Sequence, residues 1–211
     1  MTTTKNKCIN ALFSYLDTIL PDARCELNYT YDYELMIAVM LSAQTTDKSV
    51  NNVTKTLFKR YPTLKSFAHA NVKDVEVIIH SIGLYKNKAH NLVLACRQIM
   101  EEYDGVLPSD KKELVKLAGI GNKSAAVIRI EVFKIPDLPV DTHILRVSKR
   151  LGLANEKDGP DEVESKLKKL IPEERWIKGH HQLIHFGRYH CLAKSPHCEK
   201  CLMKDYCKNF H

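Results

Sequence analysis

Three groups of residues have types and spacings that could do chemistry. The stretch LAGIGNKSAAVI, residues 117–128, reads as two helical segments joined by a very tight turn. Leu114 and Leu117 lie three apart before the turn, and Ala125, Ala126 and Ile128 follow it in a good helix former. Gly119 and Gly121 flank Ile120, so the backbone can take φ > 0 and another backbone can come close. A helix starting at Asn122 aims free N–H groups and a positive dipole end at the turn, which suits a phosphate. Lys123, in its first turn, puts an amine beside that cradle. The same residues also read as a plain glycine-turn hairpin with a solvated lysine.

The second group is Cys191, Cys198, Cys201 and Cys207, four of the seven cysteines in C-x6-C-x2-C-x5-C spacing. Four thiolates on a short loop can hold one metal ion or one cluster, because the metal neutralises their charge. Clustering of this kind points to a metal site rather than a disulfide framework. The spacing leaves zinc and an iron–sulfur cluster both open, since only Cys198 and Cys201 form a close pair. Cys8, Cys25 and Cys96 are scattered and read as core or surface residues. The third group is Asp141, in LPVDTHILRV, just before a helical pattern. Its ordinary role is an N-cap. His180, His181, His185 and His190 invite a second metal reading, but no glutamate stands between His181 and His185 in the HExxH manner. They are expected to pack or to contact a ligand, and Trp176 to anchor the core.

Helices must position these groups. Ile9, Leu12, Phe13, Leu16, Ile19 and Leu20 follow helix spacing until Pro21. The pattern continues over 33–43 and 47–61, pauses at Gln44-Thr45-Thr46, and stops at Pro62. Asn71 with Asp74 three residues on marks a capped start, with Val75, Ile78 and Ile79 inward. A longer helix is expected over 86–103, then the hairpin at about 110–132. Pro136 and Pro139 force an irregular loop, and helices are expected over 142–151, 160–171 and 173–186. With no convincing apolar–polar alternation, the fold class is all-α.

The chain has 211 residues, enough for one or two domains with a sizeable core. Hydrophobic content of 44% and charged content of 27% place it among ordinary globular proteins. No apolar run reaches the length of a membrane span, and the N-terminus shows no secretory pattern, so the expected location is cytoplasmic. A net charge of +7 suits a polyanionic partner without requiring one.

LAGIGNKS resembles the helix-hairpin-helix of the DNA glycosylases, closest to the endonuclease III branch. The usual family form has proline where this chain has Ala118, which is expected to loosen the start of the turn. Three further stretches match in the expected order. LSAQTTDKSVN at 41–51 is similar to the segment whose glutamine enters the duplex, and IGLYKNKA at 82–89 to the loop whose apolar residue wedges the opposite strand. The cysteine loop at 191–207 has the endonuclease III spacing. The resemblance runs from about Ala38 to Cys207.

The resemblance implies two helical domains with DNA bound in the groove between them. One, 24–135, is a helical barrel carrying the hairpin. The other, 1–23 with 136–211, holds a [4Fe–4S] cluster on Cys191, Cys198, Cys201 and Cys207. Lys123 is then the nucleophile and Asp141 the essential carboxylate. An amine attacks only when neutral, and a helix N-terminus and loss of solvent both favour the neutral form of a lysine. Attack at C1′ expels the base, leaves a Schiff base and sets up β-elimination. A charged Asp141 would stabilise positive charge on the deoxyribose. Gln44 becomes the plug and Leu84 the wedge of a flipped-out base. Gly119 and Gly121, with Lys194 and His143, are implied DNA contacts. The carbonyls of Val115, Leu117 and Ile120 are implied ligands of a monovalent cation.

The expected function is therefore removal of oxidised pyrimidines from double-stranded DNA with abasic-site lyase activity. The expected partner is DNA carrying damaged pyrimidines or abasic sites, and the expected protein a cytoplasmic, nucleoid-associated monomer. Two alternatives stand beside it. An adenine-mismatch glycosylase of the same superfamily generally lacks the lysine. A non-enzymatic hairpin module with a zinc site leaves Lys123 and Asp141 together without a purpose.

Overall fold

The computed structural model describes residues 2–210, and their regular structure is helical throughout. In chain order the α-helices are α1 (Thr2–Ile19), α2 (Asp32–Ser42), α3 (Asp47–Arg60), α4 (Leu64–Ala68), α5 (Val72–Ile78) and α6 (Tyr85–Glu102). Then follow α7 (Lys111–Leu114), α8 (Asn122–Val132), α9 (Thr142–Arg150), α10 (Pro160–Leu170) and α11 (Trp176–Tyr189). The all-α reading holds. The chain divides into two compact units, Glu26–Ile135 and Met1–Cys25 with Pro136–His211.

The unit Glu26–Ile135 is built on α2. This helix is apolar on every side, and each residue from Glu34 to Leu41 is buried. It packs against α3, α6 and α8. Glu34 is tolerated there because its Oε2 accepts the Thr30 and Tyr31 amides at 2.6 and 3.2 Å, closing the first turn. Helix α6 presents Ala89, Leu92, Val93, Cys96 and Ile99 inward, as their spacing requires. Asn71 caps α5 through the Lys73 amide at 2.8 Å.

Two local expectations need correction in this unit. Helix α4 was not legible, because five residues are too few to show a 3.6-residue period. It is held by Thr63 and Ser66, each side chain bonding the other's backbone N–H, and by Phe67 buried against Tyr61. The hairpin expected at about 110–132 also has a short first arm, Lys111–Leu114. Asp110 Oδ1 caps the Lys112 and Glu113 amides, and the α-helix ends at Leu114. Tighter bonds then carry the chain round: Lys116 to Glu113, Leu117 to Leu114 and Ile120 to Leu117, at 3.1–3.2 Å.

The other unit gathers Leu12 and Leu16 of α1, Ile144 and Val147 of α9, Val163 and Leu167 of α10, and Leu183 and Phe186 of α11. Burying such side chains contributes about 1.5–3 kcal/mol each. Arg175 ties α1 to the start of α11. Its guanidinium lies 4.4 Å from the Phe13 ring centre and donates to Asp17 Oδ2 at 2.8 Å. The segment expected as one helix over 173–186 is a 3₁₀ turn, Glu173–Arg175, followed by α11. Trp176 is half-buried against the core and donates its Nε1–H to the Ile171 carbonyl at 2.9 Å.

The Pro-rich loop before Asp141 is irregular, as Pro136 and Pro139 require, yet it is firmly anchored. Leu138 and Val140 are buried, and Asp137 pairs with Lys168, which also meets Glu164 and lies over the Trp176 ring. Helices α9 and α11 then cross at Gly187. A Cβ there would stand 2.7 Å from His143 Cβ and 3.3 Å from His143 backbone, so only glycine allows this approach. Gly187→Ala should therefore push α9 and α11 apart and destabilise the protein by about 1–3 kcal/mol, as overpacking does. Thermal unfolding checks this; an unchanged midpoint would contradict the packing described.

Candidate active site and cluster loop

The hairpin turn is built by one glycine, not two. Gly119 sits at φ +77°, and a Cβ there would lie 2.9 Å from Asn91 Cβ and 3.1 Å from Met40 Cε. Gly121 has ordinary extended angles and open space where its Cβ would be. It is the N-cap of α8 and offers no side-chain acceptor, and the first bonded amide is Ala125, to Gly121 O at 2.9 Å. The amides ahead of it have no partner within the helix, and a helix start of this kind suits an anion. Lys123 is exposed in this first turn and makes no ion pair among the described residues. The Leu117 carbonyl already receives the Ile120 amide at 3.1 Å; a carbonyl retains a second lone pair for a cation. Val115 is exposed and Ile120 is buried.

Ala118 does not leave the turn loose. Its N–H donates to Gln98 Oε1 at 2.8 Å, and Gln98 Nε2 donates to the Lys116 carbonyl at 3.4 Å. A proline could not make the first of these bonds. Sequence reading missed Gln98, because its partners lie eighteen and twenty residues away.

In the same unit, Gln44 follows the end of α2 and Leu84 immediately precedes α6. Both adopt left-handed backbone angles, with φ of 57° and 59°. Such angles are uncommon for residues with a Cβ and store strain. Both side chains are exposed, Leu84 to 66%. A leucine held in water on a strained backbone is not filling the core.

The other unit carries Asp141, His143, Lys194 and the cysteines. Asp141 is the N-cap of α9: its Oδ1 accepts the His143 and Ile144 amides, both at 2.8 Å. Both cap bonds go to Oδ1, so the carboxylate is oriented while Oδ2 stays free of hydrogen bonds among the described residues. The His143 ring is half-buried, which pushes its pKa down. Its Nδ1 lies 3.5 Å from Arg146 Nη2. Lys194 is exposed.

Two arginines of α9 join this helix to the cysteine loop. Arg146 donates from Nη2 to the Gly187 carbonyl at 2.6 Å and from Nη2 and Nε to the Cys191 carbonyl at 3.1 and 3.2 Å. Arg150 Nη1 donates to the Leu192 carbonyl at 2.7 Å and to Cys191 Sγ at 3.2 Å. Arg150 Nη2 reaches the Ala193 carbonyl at 3.1 Å. Their four-residue spacing puts both on one helix face.

Cys191, Cys198, Cys201 and Cys207 line one cavity of about 260 Å³, with Tyr15, Phe186 and Met203 among its walls. Burial, with smaller contributions from the three other thiols, pushes the Cys201 thiol up. A single zinc ion holds sulfur at about 2.3 Å and would draw the four thiols together. The cavity exceeds the roughly 150 Å³ that holds a benzene-sized molecule. The four thiols share this one cavity, which suits a metal group held by thiolates. The four histidines have separate surroundings, apart from His180 and His181, whose ring centres lie 5.3 Å apart. His180 is buried, His185 Nε2 contacts the Arg24 carbonyl at 2.9 Å, and His190 stacks on Phe186.

Known proteins resemble this chain over nearly its whole length. The family model of the HhH-GPD superfamily base excision DNA repair protein matches residues 37–173. That of the iron-sulfur binding domain of endonuclease III matches residues 191–207. Endonuclease III of Bacillus subtilis is 45% identical over 202 residues, covering 96% of this chain and 92% of that protein. Endonuclease III of Rickettsia felis is 40% identical over 203 residues, covering 96% and 95%. A solved structure of a trapped endonuclease III–DNA covalent intermediate, an estranged-adenine complex, superposes with a TM-score of 0.93. It is 44% identical and covers 96% of this chain and 95% of that one. The chain therefore belongs to the endonuclease III family, within the helix-hairpin-helix superfamily of base excision DNA repair proteins.

Proposed function

We propose that this protein removes oxidised pyrimidines from duplex DNA and cleaves the resulting abasic site, with Lys123 as nucleophile and Asp141 as the essential carboxylate. The observation that carries this reading is Lys123 itself. It is an exposed amine with no ion pair among the described residues, in the first turn of a helix whose N-terminal amides are uncapped. A DNA phosphate on those amides brings the sugar chain to the amine. The carbonyls of Val115, Leu117 and Ile120 would seat a monovalent cation against the same phosphate.

The reaction follows from amine chemistry. Neutral Lys123 attacks C1′, the C1′–N bond breaks, and the base leaves with its electron pair and takes up a proton. Ring opening gives an imine, which acidifies the proton on C2′. Loss of that proton expels the 3′ phosphate, and water releases the lysine. Asp141 acts in the first step, where positive charge grows on the deoxyribose. Its cap bonds keep the carboxylate turned one way throughout.

The target base must leave the stack first, and the hole must be filled. Gln44 and Leu84 suit this task, since both are exposed and held in strained conformations. Cys191, Cys198, Cys201 and Cys207 hold a [4Fe–4S] cluster. When bound, the cluster cross-links the loop that carries Lys194. Gly119, Gly121, Lys194 and His143 are proposed DNA contacts. Among the described residues no helix is long and apolar enough to cross a membrane. We place the action on DNA in the cytoplasm, by a monomer.

Asp141→Asn keeps an oxygen for the cap and removes the charge. It should bind a lesion duplex like the parent and release an oxidised pyrimidine about 100- to 1000-fold more slowly in single turnover. It should still act on a pre-formed abasic site, where no base is expelled. Equal base release by parent and variant would remove Asp141 from the chemistry.

Gln44→Ala and Leu84→Ala should each slow base release from duplex DNA, by about tenfold if one stacking contact is lost. Cleavage at a pre-formed abasic site should fall less, because less must be extruded. Parent-like base release in both variants would show that these loops do not enter the duplex.

A further inference from the structure

Lys88 stands in the first turn of α6, where the positive end of the helix dipole disfavours a cation. Nothing acidic accompanies it in that turn. Its ammonium is instead directed at the other end of another helix. Nζ donates to the Leu41 carbonyl at 2.8 Å and to the Ala43 carbonyl at 2.7 Å, at the C-terminus of α2, and lies 3.5 Å from Thr45 Oγ1. Ala43 and Thr45 are the residues on either side of Gln44. The backbone N–H of Lys88 donates to the Leu84 carbonyl at 3.0 Å. One residue thus holds both neighbours of Gln44 with its side chain and Leu84 with its backbone. Gln44 and Leu84 are also two of the few residues other than glycine with positive φ among those described. Strained turns of this kind persist only where surrounding contacts enforce them.

We infer that Lys88 is a positioning residue that locks the Gln44 turn to the Leu84 helix start, so that plug and wedge enter the duplex as one rigid unit. The inference rests on the proposed roles of Gln44 and Leu84. A compact ammonium with three donors matches three acceptors converging on one point, which a planar guanidinium does not. The ammonium loses water in this position, and that desolvation lowers its pKa. The two backbone carbonyls at the end of α2 offset that loss.

The test is single-turnover kinetics on two substrates. Lys88→Met keeps the stem and removes the donors. It should release an oxidised pyrimidine from duplex DNA about tenfold more slowly, since hydrogen bonds to a charged group are lost. On a single-stranded abasic site, where nothing is extruded, it should match the parent. In a Gln44→Ala background Lys88→Met should add less than its separate effect, because the two share one task. Lys88→Arg should remain slow; full recovery would assign the role to charge alone and overturn the inference. Equal slowing on both substrates would mark a general structural role and overturn it as well. If Gln44→Ala and Leu84→Ala are slow while Lys88→Met is not, the inference falls and the intercalation reading stands. If Gln44→Ala and Leu84→Ala are both parent-like, the intercalation reading itself falls. Lys88→Gln, which keeps part of the donor set, should show a smaller slowing in the same direction and serves if Lys88→Met does not fold.

Discussion

The unsatisfied N-terminus of α8 is the feature on which the rest depends. An α-helix begins with amides that have no partner within it, and most proteins cover them with a side chain. Here the cap position is Gly121, which has nothing to offer. The surrounding structure goes to some length to keep that end open and rigid. Gly119 takes a conformation that only glycine tolerates at such close range to Asn91 and Met40, and Gln98 holds the turn through Ala118 and Lys116. The uncapped amides are then free for an outside anion, and the helix begins by presenting Lys123.

Asp141 shows the opposite solution at the start of α9. There the cap is made, and the capping residue is the one proposed as the essential carboxylate. Using Oδ1 for both amides costs the carboxylate its rotational freedom but leaves Oδ2 available. The rest of α9 serves to fix that helix. Arg146 and Arg150 gather the carbonyls at the end of α11 and the start of the cysteine loop, and Gly187 lets α11 approach closely. Charge-assisted bonds to several carbonyls are stronger than neutral ones. Cys191 is therefore held by the helix that carries Asp141, through its carbonyl and its Sγ.

What the sequence made legible follows from how locally each feature is encoded. The long helices α1 and α6 were readable, because an apolar face repeats over many turns. Helix α4 was not, with five residues and a cap pair that reads as loop. The hairpin was located but drawn too regularly: Asp110 to Leu117 looks helical by spacing, while i+3 bonds take over after Leu114. Only Gly119 of the two turn glycines needs positive φ. Four thiols close together announced a metal site, but their spacing left zinc open, and the resemblance of the whole loop to the endonuclease III iron–sulfur segment favoured the cluster. Gln98, Arg146, Arg150 and Lys88 escaped notice for one shared reason. Each bonds carbonyls or amides 18 to 47 residues away, and a backbone acceptor leaves no trace in sequence.

The central claim is that the amine at the open end of α8 becomes covalently joined to DNA. Borohydride reduction of the imine during reaction with an abasic-site duplex tests it directly. The parent protein should be trapped as a stable protein–DNA adduct, and Lys123→Gln, which keeps length and polarity, should give none while still binding lesion-containing duplex. An undiminished adduct with Lys123→Gln would make another amine the nucleophile and reduce the hairpin to a phosphate clamp.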